Sequence, residues 1–250
     1  MRTLAAFATA LVATAAAAYV LPSGSILRRM TDGREDVGGG AWHLRGTVSL
    51  YNGAAAQAAP VFLQAADVRE LQLDAEAWLK VPGRCRLELQ GSGVKVASVS
   101  SGGKVRSEGT AVEALNVALA HACALLAVRT PGEPEARAWV DRHLAGLGVE
   151  WRKNGLARFA GQVTFSLGET TDGKPHLLIY KDTFAPARLR FADAAGQAWD
   201  VRFMDYGTAG SGRAFPRVLE VWRGTDLQLR FTALRAEGRA ALSDALFQER

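Results

Sequence analysis

The chain has 250 residues, of which 48% are hydrophobic and 22% charged, and its formal net charge is +5 at pH 7. This composition is that of a globular protein long enough to bury a sizeable core, and it excludes a disordered chain, a collagen-like repeat and a polytopic membrane protein. The basic residues are scattered rather than gathered in one run or on one helix, so no nucleic-acid partner is expected.

The N-terminal segment has the pattern of an export signal. Arg2 supplies a positive charge, residues 3–25 are uncharged, and small alanines precede Tyr19. These features are typical of a cleaved secretory signal. We therefore predict a signal peptide at 1–18 and a single mature domain at 19–250. The alternative is an uncleaved membrane anchor, which an alanine-rich segment favours less because alanine contributes little to membrane insertion.

The mature chain begins with a predicted helix and continues in strands. Residues 23–36 are predicted to be helical because Ile26, Leu27 and Met30 share one face and glycines follow. From about 42 to 106 the pattern changes to a period of two, which indicates strands. The clearest strand segments are 43–50, 71–80 and 84–89, with Pro82-Gly83 as the turn between the last two.

Two helices are predicted in the middle of the chain. Residues 110–128 are apolar almost all round, with only Glu113, Asn116 and His121 interrupting, so this helix is expected to be buried on most sides. Pro134 opens the second helix at a favoured early position, and glycines follow its last apolar turn.

After these helices the period-two pattern returns and continues to the end of the chain. It is clearest at 163–167, 187–191, 201–203 and 227–231. Such alternation favours antiparallel strands with one wet and one buried face. We therefore predict an α+β fold: a single strongly curved antiparallel sheet, a half-barrel of about ten or eleven strands, with helices covering the concave side.

Catalytic and metal-binding patterns are missing from the sequence. The four histidines, His43, His121, His143 and His176, show no paired metal-ligand spacing, and no Gly-x-Ser-x-Gly elbow is present. We therefore expect no enzymatic activity, no metal and no cofactor.

The two cysteines, Cys85 and Cys123, are separated by 38 positions, the first on a predicted strand and the second on the buried helix. An exported protein reaches a compartment that permits oxidation, so a disulfide between them is one interpretation. The other is a pair of buried thiols that act as small apolar side chains. The sequence leaves both open.

Several short strings resemble one known family, the outer-membrane lipoprotein-sorting carriers with the LolA/LolB-type fold. Residues 78–82 are similar to the family's Trp-x-Lys-x-Pro segment, 100–104 to its next hairpin, 178–191 to a strand-turn-strand, and 242–247 to its closing segment. The order of the predicted elements is also similar to that of the family.

The resemblance implies a periplasmic carrier whose apolar cavity shields the acyl chains of a lipoprotein, or of another acylated ligand, in transit towards the outer membrane. It also implies an inner-membrane releasing complex and an outer-membrane acceptor as partners. The helix at 110–128 is either the lid of this cavity or simply the core of a ligand-free domain. The residues expected to line the cavity are the inward positions of the predicted strands: Val48, Leu50, Leu87, Leu89, Val163, Phe165, Leu189, Phe191, Phe203 and Phe231.

A second hypothesis assigns the same fold to a different class of function. In it the protein is a non-catalytic envelope binding or regulatory module that binds a protein partner. The open edges of a half-barrel offer unpaired main-chain groups to an extended peptide. This hypothesis predicts a filled cavity and an exposed apolar edge or groove.

Overall fold

The computed structural model of the protein describes residues 21–32, 40–65, 68–128, 134–208, 214–238 and 240–248. The predicted signal peptide at 1–18 lies outside these residues, as do positions 33–36 of the first predicted helix. Within the described chain, no helix has the length and apolar character needed to cross a membrane.

The described residues form four α-helices and twelve β-strands, followed by a short 3-10 helix at Asp244–Phe247. The helices are α1 (Ser23–Asp32), α2 (Asn52–Phe62), α3 (Glu113–Leu126) and α4 (Pro134–Gly146). The strands of the N-terminal half are β1 (Ala41–Tyr51), β2 (Glu70–Lys80), β3 (Arg84–Gly91), β4 (Val94–Ser101) and β5 (Lys104–Glu108). Those of the C-terminal half are β6 (Asn154–Phe159), β7 (Gln162–Leu167), β8 (His176–Tyr180), β9 (Pro186–Ala192), β10 (Ala198–Met204), β11 (Val218–Arg223) and β12 (Asp226–Gly238).

All of these strands belong to one antiparallel sheet, in the order β5-β4-β3-β2-β1-β12-β11-β10-β9-β8-β7-β6. Consecutive strands pair with each other except for β5 and β6, and at the centre of the sheet the first strand, β1, also pairs with the last, β12. The outer strands β5 and β6 do not pair with each other, so the sheet stays open. This confirms the predicted curved half-barrel, whose described strands number twelve rather than ten or eleven.

The main hydrophobic core lies between the concave face of the sheet and the helices. Ile26, Leu27 and Met30 of α1 are completely or almost completely buried in it, as the predicted helical face requires. Leu115 and Leu125 of α3 lie in the same core and are also fully buried. The predicted burial of this helix on most sides is confirmed.

The prediction of strands throughout 42–106 is wrong at 52–62, where the structure has α2. Four alanines of this helix, Ala54, Ala55, Ala58 and Ala59, are buried. Alanine is small and has the highest helix propensity, so a run of alanines packs closely on a sheet without displaying a strong apolar periodicity.

The expectation of one wet face is wrong for β7, where Thr164 and Ser166 are buried along with Phe165. All five residues of the neighbouring strand β8 are buried as well. On the side away from the main core, Leu178 and Tyr180 form a second cluster with Phe159 and Tyr206 packed against it. The Arg188 guanidinium lies 5.7 Å from the centre of the Phe159 ring. Aromatic rings and an arginine stem therefore cover the outer face of this strand, which alternation alone did not indicate.

Candidate ligand cavity

The concave side of the sheet holds a small cavity beneath α3. Its volume is about 50 Å³. α3 lines it with Ala118, Leu119, Ala122 and Leu126, and the strands opposite contribute Leu44, Leu79, Leu87 and Phe231. Pockets that hold drug-sized ligands measure roughly 300–1,000 Å³, so this cavity is too small to hold one in the conformation described.

Polar contacts hold the N-terminal half of α3 in place. The Ser98 hydroxyl donates to the Asn116 side-chain oxygen at 2.5 Å, and the Ser107 hydroxyl donates to the same oxygen at 3.1 Å. The Glu113 N–H at the start of the helix donates to the Gln57 side-chain oxygen of α2 at 3.0 Å. The bonds of Asn116 satisfy polar groups that are partly or fully buried, whereas the bond between Glu113 and Gln57 lies at the exposed start of the helix.

The C-terminal end of α3 is fixed to the β2–β3 hairpin. Cys85 on β3 and Cys123 on α3 form a disulfide in the structure, with their Cα atoms 5.8 Å apart. The Gly83 N–H in the hairpin turn donates to the Ala127 carbonyl oxygen at 2.9 Å. Both cysteines lie in the cavity wall. Any movement of α3 away from the sheet must therefore pivot about this end.

The structure places most of the predicted cavity residues in the core, although few of them reach the cavity. Leu87 and Phe231 line it directly. Seven others are buried in the same hydrophobic cluster without lining it: Val48, Leu50, Leu89, Phe165, Leu189, Phe191 and Phe203.

The prediction that Val163 lies in the core is wrong. Its side chain is 37% exposed. It pairs across the strands with Arg158, one step from the turn that ends the β6–β7 hairpin. Phe165, two residues further along β7, is only 3% exposed. Thr164 and Ser166 on the opposite face of β7 are buried too, so burial along this strand increases with distance from the hairpin turn and does not alternate.

Several cavity residues were missed by reasoning from the strands alone. They come from α3 and from the segment before β11, where Phe215 and Pro216 complete the wall. Phe215 packs edge-on against Trp42, with their ring centres 4.9 Å apart. The nearly continuous apolar character of α3 was the available signal, because a helix that is apolar all round has to face apolar neighbours on several sides.

Two histidines meet where α3 packs on α4. His121 Nδ1 lies 3.1 Å from His143 Nε2, and the His121 ring lies 4.4 Å, centre to centre, from that of Phe191. Burial lowers the pKa of His143 to about 4, and burial together with the neighbouring His143 lowers the pKa of His121 to about 3. Both imidazoles are therefore neutral near pH 7, and the N–H of one donates a hydrogen bond to the other. No group of three or more potential metal ligands occurs among the described residues.

Two of the segments that carry the family resemblance contact each other on the outer face of the sheet. Lys80 on β2 donates to the Leu242 carbonyl oxygen at 3.0 Å and to an Asp244 carboxylate oxygen at 2.5 Å. Arg84 on β3 lies 2.8 Å from the same carboxylate. The closing segment is thereby fastened to the hairpin whose turn holds the end of α3.

Comparison with known proteins identifies the fold. The chain is similar to the crystal structure of the LolA superfamily protein NE2245 from Nitrosomonas europaea, with 11% identity, a TM-score of 0.51, and coverage of 92% of this chain and 99% of that one. At this identity the similarity shows a shared fold. The LolA-type fold implied by the sequence resemblance is therefore confirmed. No family model matches the sequence, and no curated protein matches it.

Two other solved structures resemble the chain at lower TM-scores. A domain assigned to outer-membrane lipoprotein sorting from Vibrio parahaemolyticus has 12% identity and a TM-score of 0.42, with 90% of this chain and 97% of that one covered. The MucA/MucB complex of Pseudomonas aeruginosa has 16% identity and a TM-score of 0.30, with 91% and 61% covered.

Proposed function

We propose that this protein is a non-catalytic carrier that holds the acyl chains of a lipoprotein, or of another acylated ligand, between its half-barrel sheet and α3. The observation that supports this most strongly is the apolar cavity on the concave face of a LolA-type fold. The ligand is bound by burial, since each methylene removed from water contributes about 0.8 kcal/mol. No covalent step is involved.

The carrier requires that the closed cavity expand. We propose that α3 acts as the lid and swings about the Cys85–Cys123 disulfide, while its N-terminal half separates from β4 and β5. That movement breaks the hydrogen bonds of Asn116 with Ser98 and Ser107. Leu87 and Phe231 then contact the acyl chain, and the seven buried residues behind them are exposed to it as the cavity deepens.

The proposed cellular setting follows from the N-terminal segment. A signal peptide at 1–18 would direct the mature domain, 19–250, to the periplasm. There the carrier would take its cargo from an inner-membrane releasing complex and pass it to an outer-membrane acceptor. Acyl chains are insoluble in the aqueous space between the two membranes, so a protein cavity that shields them is needed for the transfer.

A cavity-filling variant tests this function. Ala122 lines the cavity, and Ala122→Leu places three further carbon atoms in a space of about 50 Å³. We expect the variant to fold and to bind a fluorescent fatty-acyl probe at least tenfold more weakly than the natural protein. Ala145→Leu, at an exposed position of α4, is the matched control and should bind normally. Equal binding by Ala122→Leu and the natural protein, with folding verified by circular dichroism, would refute this site.

The second candidate is a module that binds a protein partner, and one observation favours it. β6 is an edge strand, and Leu156 at its centre is 42% exposed. An extended peptide could pair with this edge and cover that side chain. The variant Leu156→Asp would then abolish partner binding and leave acyl-probe binding unchanged. Ala122→Leu would weaken acyl-probe binding and leave partner binding unchanged.

A further inference from the structure

A second and larger pocket lies outside the closed cavity, at the C-terminal end of α3. Its volume is about 480 Å³, within the range of sites that hold small organic ligands. Its walls come from the β2–β3 turn, the β4–β5 turn, the end of α3 and one face of α4. Pro82, Ala127, Val128 and Trp139 make most of this wall apolar. We call it the α4 groove.

Two glycine turns determine the position of Trp139 in this groove. A Cβ atom on Gly83 would lie 3.3 Å from the Trp139 ring, and one on Gly103 would lie 3.5 Å from it. Both glycines have positive φ angles, +55° and +83°, which other residues rarely adopt. The turns therefore leave room for the indole, and the ring forms a flat apolar wall in a defined position.

Arg142 is the charged residue in the wall of the α4 groove. Its guanidinium has no hydrogen bond or ion pair within the described chain. The nearest acidic residue in sequence, Asp141, has a carboxylate oxygen 3.8 Å from Arg137 instead. A guanidinium carries five N–H donors in a planar fork that matches a carboxylate or a phosphate. The positive charge at this wall is therefore available to an anion.

The indole of Trp139 adds a second donor with no acceptor. Its Nε1 is buried, and no group among the described residues accepts a hydrogen bond from it. Trp139 and Arg142 are three residues apart on α4, so they lie on one helix face. Buried donors without partners are rare and call for a water molecule or a ligand. The Arg142 guanidinium can only donate hydrogen bonds, so a ligand that fits beside it has acceptor oxygens.

From these observations we propose that the α4 groove binds a single-chain amphiphilic anion, with its carboxylate or phosphate at Arg142 and its aliphatic chain against Trp139, Val128 and Pro82. A neutral or cationic head group would leave the guanidinium unpaired, and a head group without a chain would leave the apolar wall exposed to water. Both parts of the ligand are needed. This site is separate from the cavity beneath α3 and does not depend on the carrier function.

The experiment is an NMR titration that follows the indole N–H of Trp139, identified by its loss in Trp139→Phe. Octanoate and octyl phosphate should each shift this signal in a saturable way, and their relative affinities distinguish a carboxylate from a phosphate ligand. Octanol, octyltrimethylammonium and acetate should bind at least tenfold more weakly. Arg142→Gln should weaken octanoate binding at least tenfold. The matched control is Arg28→Gln, at an exposed arginine on α1, and should bind as the natural protein does.

Two results would overturn the proposal: an indole signal that neither anion shifts, or octanoate binding that is equal in Arg142→Gln and Arg28→Gln. Equal affinity for octanol and octanoate would also contradict it, because the charge would then have no role. Ala122→Leu, which fills the other cavity, should leave octanoate binding in the α4 groove unchanged. A failure of the carrier function and a failure of this site are thereby distinguished.

Discussion

Cys85 on β3 and Cys123 on α3 are joined by a disulfide, which closes a loop that contains the whole of β4 and β5. In the chain-entropy model, a loop of 38 residues contributes about 4 kcal/mol to the free energy of unfolding. We therefore expect Cys85→Ser/Cys123→Ser to unfold at a lower urea concentration than the natural protein, with a free energy of unfolding that is lower by about that amount. Equal unfolding midpoints in the natural protein and the double variant would contradict the stabilising role of the bond.

The pair formed by His121 and His143 predicts how stability changes with pH. The folded-state pKa values, about 3 and about 4, lie below the usual value near 6.5 of the unfolded chain. The unfolded state therefore binds more protons at acidic pH, and the stability that the neutral pair provides is complete above about pH 6.5 and is lost as the pH falls. We expect a loss of about 4 kcal/mol between pH 7 and pH 5.

Urea unfolding at pH 7, 6 and 5 measures this effect. His121→Leu/His143→Leu should remove most of the slope in that range, because the carboxylates titrate mainly at lower pH. His176 also has a pKa lowered chiefly by burial, and it is present in both proteins, so its contribution cancels in the comparison. The same slope in the natural protein and the double variant would show that the pair is not the cause.

Gly46 makes the pairing of β1 with β12 possible at the centre of the sheet. A Cβ atom there would approach the Thr232 carbonyl oxygen to 2.0 Å, beside a register shift in the pairing. Gly46→Ala must therefore displace backbone, and we expect it to lower the free energy of unfolding by about 2 kcal/mol or more. Gly146→Ala has no atom within 4 Å of its new Cβ and is the control. Equal stability of the two variants would be inconsistent with this close approach.

Asp200 supports the outer face of the C-terminal half. Its side chain is 7% exposed and accepts hydrogen bonds from Arg188 at 2.9 Å and from Arg202 at 3.0 Å. Burial alone would raise the pKa of this carboxyl, but the two arginines hold it below its usual value. We expect Asp200→Asn to cost about 2 kcal/mol at pH 7, because it leaves Arg188 without a counter-charge and Arg202 with only the Glu220 carboxylate, 3.9 Å away. Asp172→Asn, at a fully exposed carboxylate, should change the unfolding free energy by less than about 0.5 kcal/mol.

The architecture was largely predictable because hydrophobic periodicity is a local signal. The alternation around Phe165 and Leu189 and the nearly continuous apolar surface of α3 together implied a curved sheet with a buried helix. α2 was missed because Ala54 and Ala58 are too small to mark an apolar face in the sequence. Val163 was assigned to the core because alternation gives the face of a strand and contains no information on how far the helices cover it.

The site was less predictable than the fold because it depends on contacts between distant segments. Phe215 reaches the cavity from the segment before β11, and Ala122 reaches it from α3, although neither belongs to an alternating strand. Arg142 is one of 30 basic residues in the chain, and its sequence neighbours do not distinguish it. Its lack of a counter-charge within the described chain and its position beside Trp139 exist only in the folded structure.

The most direct test of the carrier function is native mass spectrometry of residues 19–250, purified from a periplasm without detergent and followed by organic extraction and lipid analysis. The proposal predicts a stoichiometric adduct that has acyl-chain masses and is absent or strongly reduced in Ala122→Leu. A protein that carries no adduct and takes up no fluorescent fatty-acyl probe would contradict the carrier function and favour the partner-binding module.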